Sequence, residues 1–247
     1  MLKDKVILIT GTTSGIGKIL LNYFKDNNFI ISINREKSQE LYLNEENILN
    51  YNIDITNFDS VKNCIKDLIH KSKKPDIFIL NAGINIYDNE DYFNIIKFKE
   101  CFDVNFFGSM NFVSAISELK ISKKKIVFMS STSNIIPNPA AIGYFSSKLL
   151  LKKTSKLLNL NNDNIYKVSI LGPIKTNISR NIKSPKGIAQ IIYNLLVAKP
   201  ENMVKKFEKF LLSKKKYFYF TKLSIIVYWL IATILIFIPG LYKGGKK

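Results

Sequence analysis

Short apolar runs alternate along the chain with longer segments whose apolar residues recur at helical spacing. The runs 5–10 (KVILIT), 29–34 (FIISIN), 48–53 (ILNYNI), 76–80 (DIFIL), 125–130 (KIVFMS) and 165–171 (IYKVSIL) are rich in Ile, Val and Phe. Nearly continuous apolar runs of this length are expected for strands buried on both faces. Between them, helical period predicts helices over about 15–27, 57–71, 97–120, 142–160 and 185–198. Strand–helix alternation of this kind predicts an α/β fold, a parallel sheet with helices on both sides.

After Lys199-Pro200 the pattern changes. Residues 201–214 place Met203, Val204, Phe207, Phe210 and Leu211 on one helical face and Lys205, Lys206 and Lys209 largely on the other. The aromatic run 217–220 is a candidate seventh strand, and 223–242 carries no charged residue. The expected organisation is therefore an α/β domain over 1–198, a basic amphipathic connector over 199–222, an uncharged segment over 223–242 and a basic tail over 243–247. Twenty uncharged residues match the length needed to cross a hydrocarbon core of roughly 30 Å. The strongest apolar stretch, 225–238, is shorter, so three readings stand: a spanning or re-entrant membrane anchor, a surface-lying amphipathic helix together with 201–214, or a buried helix against protein. The first is preferred. Tyr228 and Trp229 would then sit at the interface, and Lys214, Lys215, Lys216 and Lys222 would keep the preceding domain on the cytoplasmic side.

Composition sharpens this picture. The 247 residues include 37 Lys plus Arg against 19 Asp plus Glu, a formal net charge of +18, of which +9 falls in residues 199–247. So basic a chain raises nucleic acid as a partner. However, its only arginines are Arg35 and Arg180, and arginine is the usual side chain for bidentate phosphate and base contacts. Nucleic acid is therefore not expected. Two cysteines, Cys64 and Cys101, cannot form a disulfide framework and fit a reducing compartment. Val6–Thr10 is too short for the apolar core of a signal peptide.

Directly after the first strand come Gly11, Thr12, Thr13, Ser14, Gly15, Ile16 and Gly17, opening a helix. Glycines there permit a tight turn and a close approach to a pyrophosphate, and the helix N-terminus offers free N–H groups. A Walker A loop is excluded by spacing, since five residues separate Gly11 from Gly17 and Lys18 is followed by Ile19. The second strand ends at Asn34-Arg35, where an acidic residue would hold a ribose 2′-hydroxyl and an arginine accommodates a 2′-phosphate. Arg35, backed by Lys37, thus favours NADP(H), with NAD(H) as the other candidate.

Tyr144 and Lys148 lie four apart and share a helix face. A free phenol has a pKa of about 10, and a nearby ammonium lowers it into a range useful for acid–base work. Ser131, at the end of the fifth strand, could hydrogen-bond a substrate oxygen. A hydrolase role for Ser131 is not expected, because His70 is the only histidine and no G-x-S-x-G elbow surrounds the serine. With one histidine and two separated cysteines, no His/Cys metal site is expected.

The chain resembles the short-chain dehydrogenase/reductase family over about residues 3–198. The TGxxxGIG turn reads Thr10 to Gly17, the NAG motif is Asn81-Ala82-Gly83, and Tyr144 to Lys148 matches YxxxK with Ser131 thirteen residues earlier. The resemblance implies a Rossmann-like, doubly wound sheet of about seven strands, with Asp54 and Ile55 contacting adenine. It implies an Asn105–Ser131–Tyr144–Lys148 catalytic set for hydride transfer between a nicotinamide and a carbonyl or secondary alcohol, Asn105 placing a water that links Lys148 to solvent. Where the family reads Pro-Gly after the sixth strand, this chain has Leu171-Gly172 with Pro173 following. Thr176 matches the residue that contacts the nicotinamide carboxamide, and the substrate-covering loop, 177–184, is short. The expected protein is a membrane-tethered oxidoreductase acting on a hydrophobic or lipid-linked small molecule, as a homodimer or homotetramer. The alternative is a cofactor-binding scaffold or redox sensor without turnover.

Overall fold

The structure is a computed structural model that describes residues 1–35, 45–87, 93–132, 141–160, 163–172, 174 and 200–220. Its frame is a sheet of seven parallel strands: β1 (Val6–Thr10), β2 (Phe29–Asn34), β3 (Ile48–Asn52), β4 (Ile77–Leu80), β5 (Lys125–Ser131), β6 (Ile165–Leu171) and β7 (Tyr217–Tyr219), in the spatial order β3-β2-β1-β4-β5-β6-β7. The helices are α1 (Gly15–Phe24), α2 (Phe58–His70), α3 (Ile95–Phe102), α4 (Gly108–Glu118), α5 (Ile142–Leu158) and α6 (Pro200–Leu212). Each strand lies within two residues of the run that predicts it. The helix expected over 185–198, Thr176, the loop 177–184 and the segment 223–242 lie outside the described residues.

Successive side chains of a strand point to opposite faces, so each central strand feeds two cores. Ile7 and Ile9 of β1 and Ile77 and Ile79 of β4 pack with Leu20, Leu21 and Phe24 of α1 and with α6. Leu8, Phe78 and Leu80 pack on the other face with Val61, Ile65 and Leu68 of α2, Phe112 and Ile116 of α4, and Leu151 of α5. Burial on both faces is why these runs read as continuous rather than alternating.

Two expectations are corrected. Met203, Val204, Phe207, Phe210 and Leu211 do share a face, but that face is in the core, and β7 hydrogen-bonds alongside β6. The folded unit therefore runs through residue 220 rather than ending at 198, and 200–220 is not a connector. Lys167 fixes this corner from inside β6, donating from Nζ to the carbonyls of Phe210, Ser213 and Lys215 at the C-terminal end of α6. Burial pushes its ammonium down to about 8. Secondly, the helix expected over 97–120 is broken by a turn of π-helix at Asp103–Phe107. Among the described residues, no helix is long and apolar enough to cross a membrane.

Candidate active site

The strand order reverses between β1 and β4, and in such sheets the crevice beyond the carboxyl ends of the strands is the ligand position. The glycine turn leaves β1 there, Asn81-Ala82-Gly83 leaves β4, Ser131 ends β5 and Gly172 follows β6. Gly11 and Gly15 have φ of +71° and +56°, the left-handed region that glycine enters without strain. Gly17 is required for a different reason. A Cβ there would lie 2.0 Å from the Gly11 carbonyl oxygen and 2.6 Å from Asn81 Nδ2.

Buried hydrogen bonds hold this turn on two sides. Thr12 N–H donates to Asn34 Oδ1 (2.7 Å), and Asn34 Nδ2 donates to Thr12 Oγ1 (2.9 Å) and Ser32 Oγ (3.0 Å). On the β4 side, Thr10 Oγ1 accepts from the backbone N–H of Asn81 (2.9 Å) and Ala82 (2.8 Å), while Asn81 Nδ2 donates to the carbonyls of Thr10 and Gly11. Thr13 and Ser14 are exposed at the mouth, and Ile16 packs against the core below. The Ser14 side chain makes no capping bond to α1, and the first turn of α1 holds no acidic residue. A helix start of this kind leaves N–H groups and the positive dipole end for an anion. The cradle thus fits the pyrophosphate of a dinucleotide, with Arg35 exposed at the end of β2 beside Asn34. Asp54 forms a turn of its own, its Oδ1 accepting from Thr56 N–H and Oγ1. Ile55 is buried against Gly108, and Asn111 Nδ2 donates to its carbonyl at 2.8 Å.

The second half of the crevice assembles around Asn105, which the π-helical turn carries inward to full burial. Single π turns inside helices recur at functional sites. Asn105 Oδ1 accepts from Ile84 N–H (2.8 Å), and its Nδ2 donates to the Ile84 carbonyl (2.9 Å) and to Ser147 Oγ (3.0 Å). Lys148, also buried, donates to the Met129 carbonyl (2.9 Å), and its Nζ lies 5.9 Å from the ring centroid of Tyr144. A Cβ on Gly83 would stand 2.9 Å from Asn105 Oδ1 and 3.0 Å from Lys148 Nζ. Burial pushes the Lys148 ammonium down to about 8. Ser131 and Tyr144 remain half-exposed above these buried groups.

Asn105, Lys148, Tyr144 and Gly83 are thus brought together, while Arg35, Asp54 and Ile55 lie apart at the edge nearer β2 and β3. Several supporting residues escape the motif reading: Ser32 and Asn34 beside the turn, and Ser147 and Cys101 beside Asn105 and Lys148. Ser32 and Asn34 are signalled by being polar within an otherwise apolar run. Nothing comparable marks Cys101.

A family model described as short chain dehydrogenase matches residues 5–187. The chain belongs to the short-chain dehydrogenase family. Among curated members it is 33% identical over 179 residues to an 11-beta-hydroxysteroid dehydrogenase-like protein of Arabidopsis thaliana, covering 68% of this chain and 58% of that one. It is 27% identical to a 3-ketodihydrosphingosine reductase of Bacteroides thetaiotaomicron, covering 64% and 59% respectively. The chain therefore spans under two thirds of the length of these relatives. Solved short-chain dehydrogenases share the fold. One from Burkholderia cenocepacia in complex with NADP superposes with a TM-score of 0.70 at 19% identity, over 96% of this chain and 94% of that one. One from Burkholderia phymatum in complex with NAD gives 0.76 at 15% identity, over 100% and 99%.

Proposed function

We propose that this short-chain dehydrogenase reduces a carbonyl to a secondary alcohol, or runs the reverse oxidation, with NADP(H) as its cofactor. The observation that carries the reading is the buried Lys148 held among Met129, Asn105 and Gly83, one helical turn after Tyr144. A dihydronicotinamide held in this crevice would supply the hydride that the carbonyl carbon accepts, itself becoming the oxidised nicotinamide. Ser131 hydrogen-bonds and orients the carbonyl oxygen. Tyr144 gives that oxygen its phenolic proton, completing the alcohol, and the Lys148 ammonium stabilises the phenolate left behind. Asn105 and Lys148 lie on the path by which solvent returns the proton. NADPH oxidation followed with a panel of ketones and aldehydes tests this directly; tight NADPH binding with no turnover on any of them would establish the scaffold reading instead.

Preference for the phosphorylated cofactor rests on Arg35, exposed where a 2′-phosphate is read in such folds. A charge-assisted contact of this kind is worth about 1.5 kcal/mol, roughly tenfold in affinity. Arg35→Ala should lower the NADPH-to-NADH ratio of kcat/KM about tenfold, and an unchanged ratio would remove Arg35 from the site.

The reading extends to a membrane tether at 223–242 with the catalytic unit facing the cytoplasm, supported by the 20 uncharged residues and their flanking lysines. A site beside a bilayer suits a hydrophobic substrate. Alkaline carbonate washing should leave the full chain in the membrane pellet; release into the supernatant would rule out an integral anchor.

A further inference from the structure

Among the described residues, three buried side-chain oxygens have no hydrogen-bond partner: Asn50 Oδ1, Ser169 Oγ and Asn85 Oδ1. Asn50 lies on the edge strand β3 and Ser169 in the interior of β6, whereas Asn85 lies two residues beyond Gly83, on the segment that passes Asn105 and Lys148. An unpaired buried amide oxygen is costly, so its persistence in a site needs a reason.

The neighbouring backbone explains why the deficit does not relax. Both polar groups of Ile84 are bonded to the Asn105 carboxamide, and Ile86 makes a backbone hydrogen bond to the Cys101 sulfur. Asn85 itself is oriented by its Nδ2, which donates to Tyr87 Oη at 3.3 Å. The residues on either side are therefore anchored, and the carboxamide oxygen stays unmatched. Ile86, the next residue, lines a small cleft whose apolar wall is Phe93, Phe98 and Ile142 and whose polar residues are Asn94 and Lys97; Gly143, also in its lining, immediately precedes Tyr144.

We propose that Asn85 is a specificity-determining residue, whose Oδ1 accepts a hydrogen bond from a hydroxyl or N–H group carried by the substrate. The substrate class is then an aliphatic ketone with a second, donor-bearing carbon near the carbonyl, its hydrocarbon part lying against Ile86, Phe93, Phe98 and Ile142. A buried acceptor rejects a ligand lacking the donor far more strongly than an apolar wall rejects a missing methylene, because the acceptor is left unpaired again. The inference rests on the carbonyl-reductase reading of the same cleft.

The test compares 2-octanone with octanones carrying one hydroxyl at carbon 1, 3, 4 or 5, using the full chain and NADPH. The wild type should prefer at least one hydroxyoctanone over 2-octanone by tenfold or more in kcat/KM. Asn85→Leu should reduce that preference below twofold while leaving turnover of 2-octanone intact, and Asn85→Asp, which keeps an acceptor, should retain it. Without ligand, Asn85→Leu should melt at or above the wild-type temperature, since it removes an unpaired polar atom. A lower melting temperature with preference unchanged would make Asn85 structural and overturn the proposal, as would a wild type without preference. Thermal shifts of the NADPH-loaded protein with the same ketones separate the two readings. Asn85-dependent shifts without turnover would keep the contact and overturn the reductase; neither shifts nor turnover would overturn both.

Discussion

Gly17→Ala is expected to lose measurable NADPH affinity and to be about 3–5 kcal/mol less stable than the wild type. The added Cβ would lie 2.0 Å from the carbonyl oxygen of Gly11 and 2.6 Å from Asn81 Nδ2, far inside van der Waals contact. Neither neighbour is a flexible side-chain end. Gly11 is held by its N–H bond to the Ile33 carbonyl (2.8 Å), and Asn81 Nδ2 is engaged by the Thr10 and Gly11 carbonyls. Relief requires α1 to move off the turn, which disrupts the packing of Leu20, Leu21 and Phe24. Overpacking a rigid site costs about 1–3 kcal/mol, and each hydrogen bond given up adds roughly 1 kcal/mol. The same shift pulls the N-terminus of α1 away from the position where its N–H groups would meet a phosphate. Chemical denaturation and NADPH titration by fluorescence measure the two effects. A variant with wild-type midpoint and affinity would refute the close approach of helix and turn.

The strands were legible because the sheet buries both faces, which leaves runs such as VILIT and IFIL with no competing pattern. The glycine turn, Asn81-Ala82-Gly83 and Ser131 were legible because each sits where a strand ends, and Tyr144 and Lys148 because four-residue spacing puts them on one face of α5. What stayed hidden has physical causes. A helical period over 97–120 does not register one extra residue per turn, yet that residue, in the π turn at Asp103–Phe107, is what carries Asn105 inward. The start of α3 was signalled only by Asn94, whose side chain accepts from the N–H groups of Ile96 and Lys97. The amphipathic pattern of 201–214 gave the apolar face correctly but not its partner, since an apolar stripe fits a sheet and a lipid surface equally well. Lys167 was the local clue: a charge inside a buried strand needs acceptors, and the end of α6 provides three carbonyls.

Tyr144→Phe is expected to lower kcat by 10²–10⁴-fold with NADPH affinity unchanged, the range that positioned acid–base groups contribute. That fall corresponds to about 3–5 kcal/mol of transition-state stabilisation. Only the hydroxyl is removed, so the ring keeps its packing against Phe145 and its place beside Lys148. Wild-type turnover by this variant would sink the proposed chemistry. Lys148→Met tests the other half of the pair, through stability and turnover read together. The folded protein holds this group at about 8 against an ordinary value of 10.5, because burial penalises the ammonium. Folding therefore favours the neutral amine: the penalty is fully present below about pH 8 and disappears as pH rises toward 10.5. A difference of this size is worth about 3 kcal/mol, offset by roughly 1 kcal/mol for the lost bond to the Met129 carbonyl. Lys148→Met should thus be about 2 kcal/mol more stable than the wild type at pH 7, with the gap closing between pH 8 and 10, while its turnover falls along with that of Tyr144→Phe. A variant that lost stability at pH 7 and kept its turnover would make Lys148 a structural group, and the buried cation would then need a different explanation from catalysis.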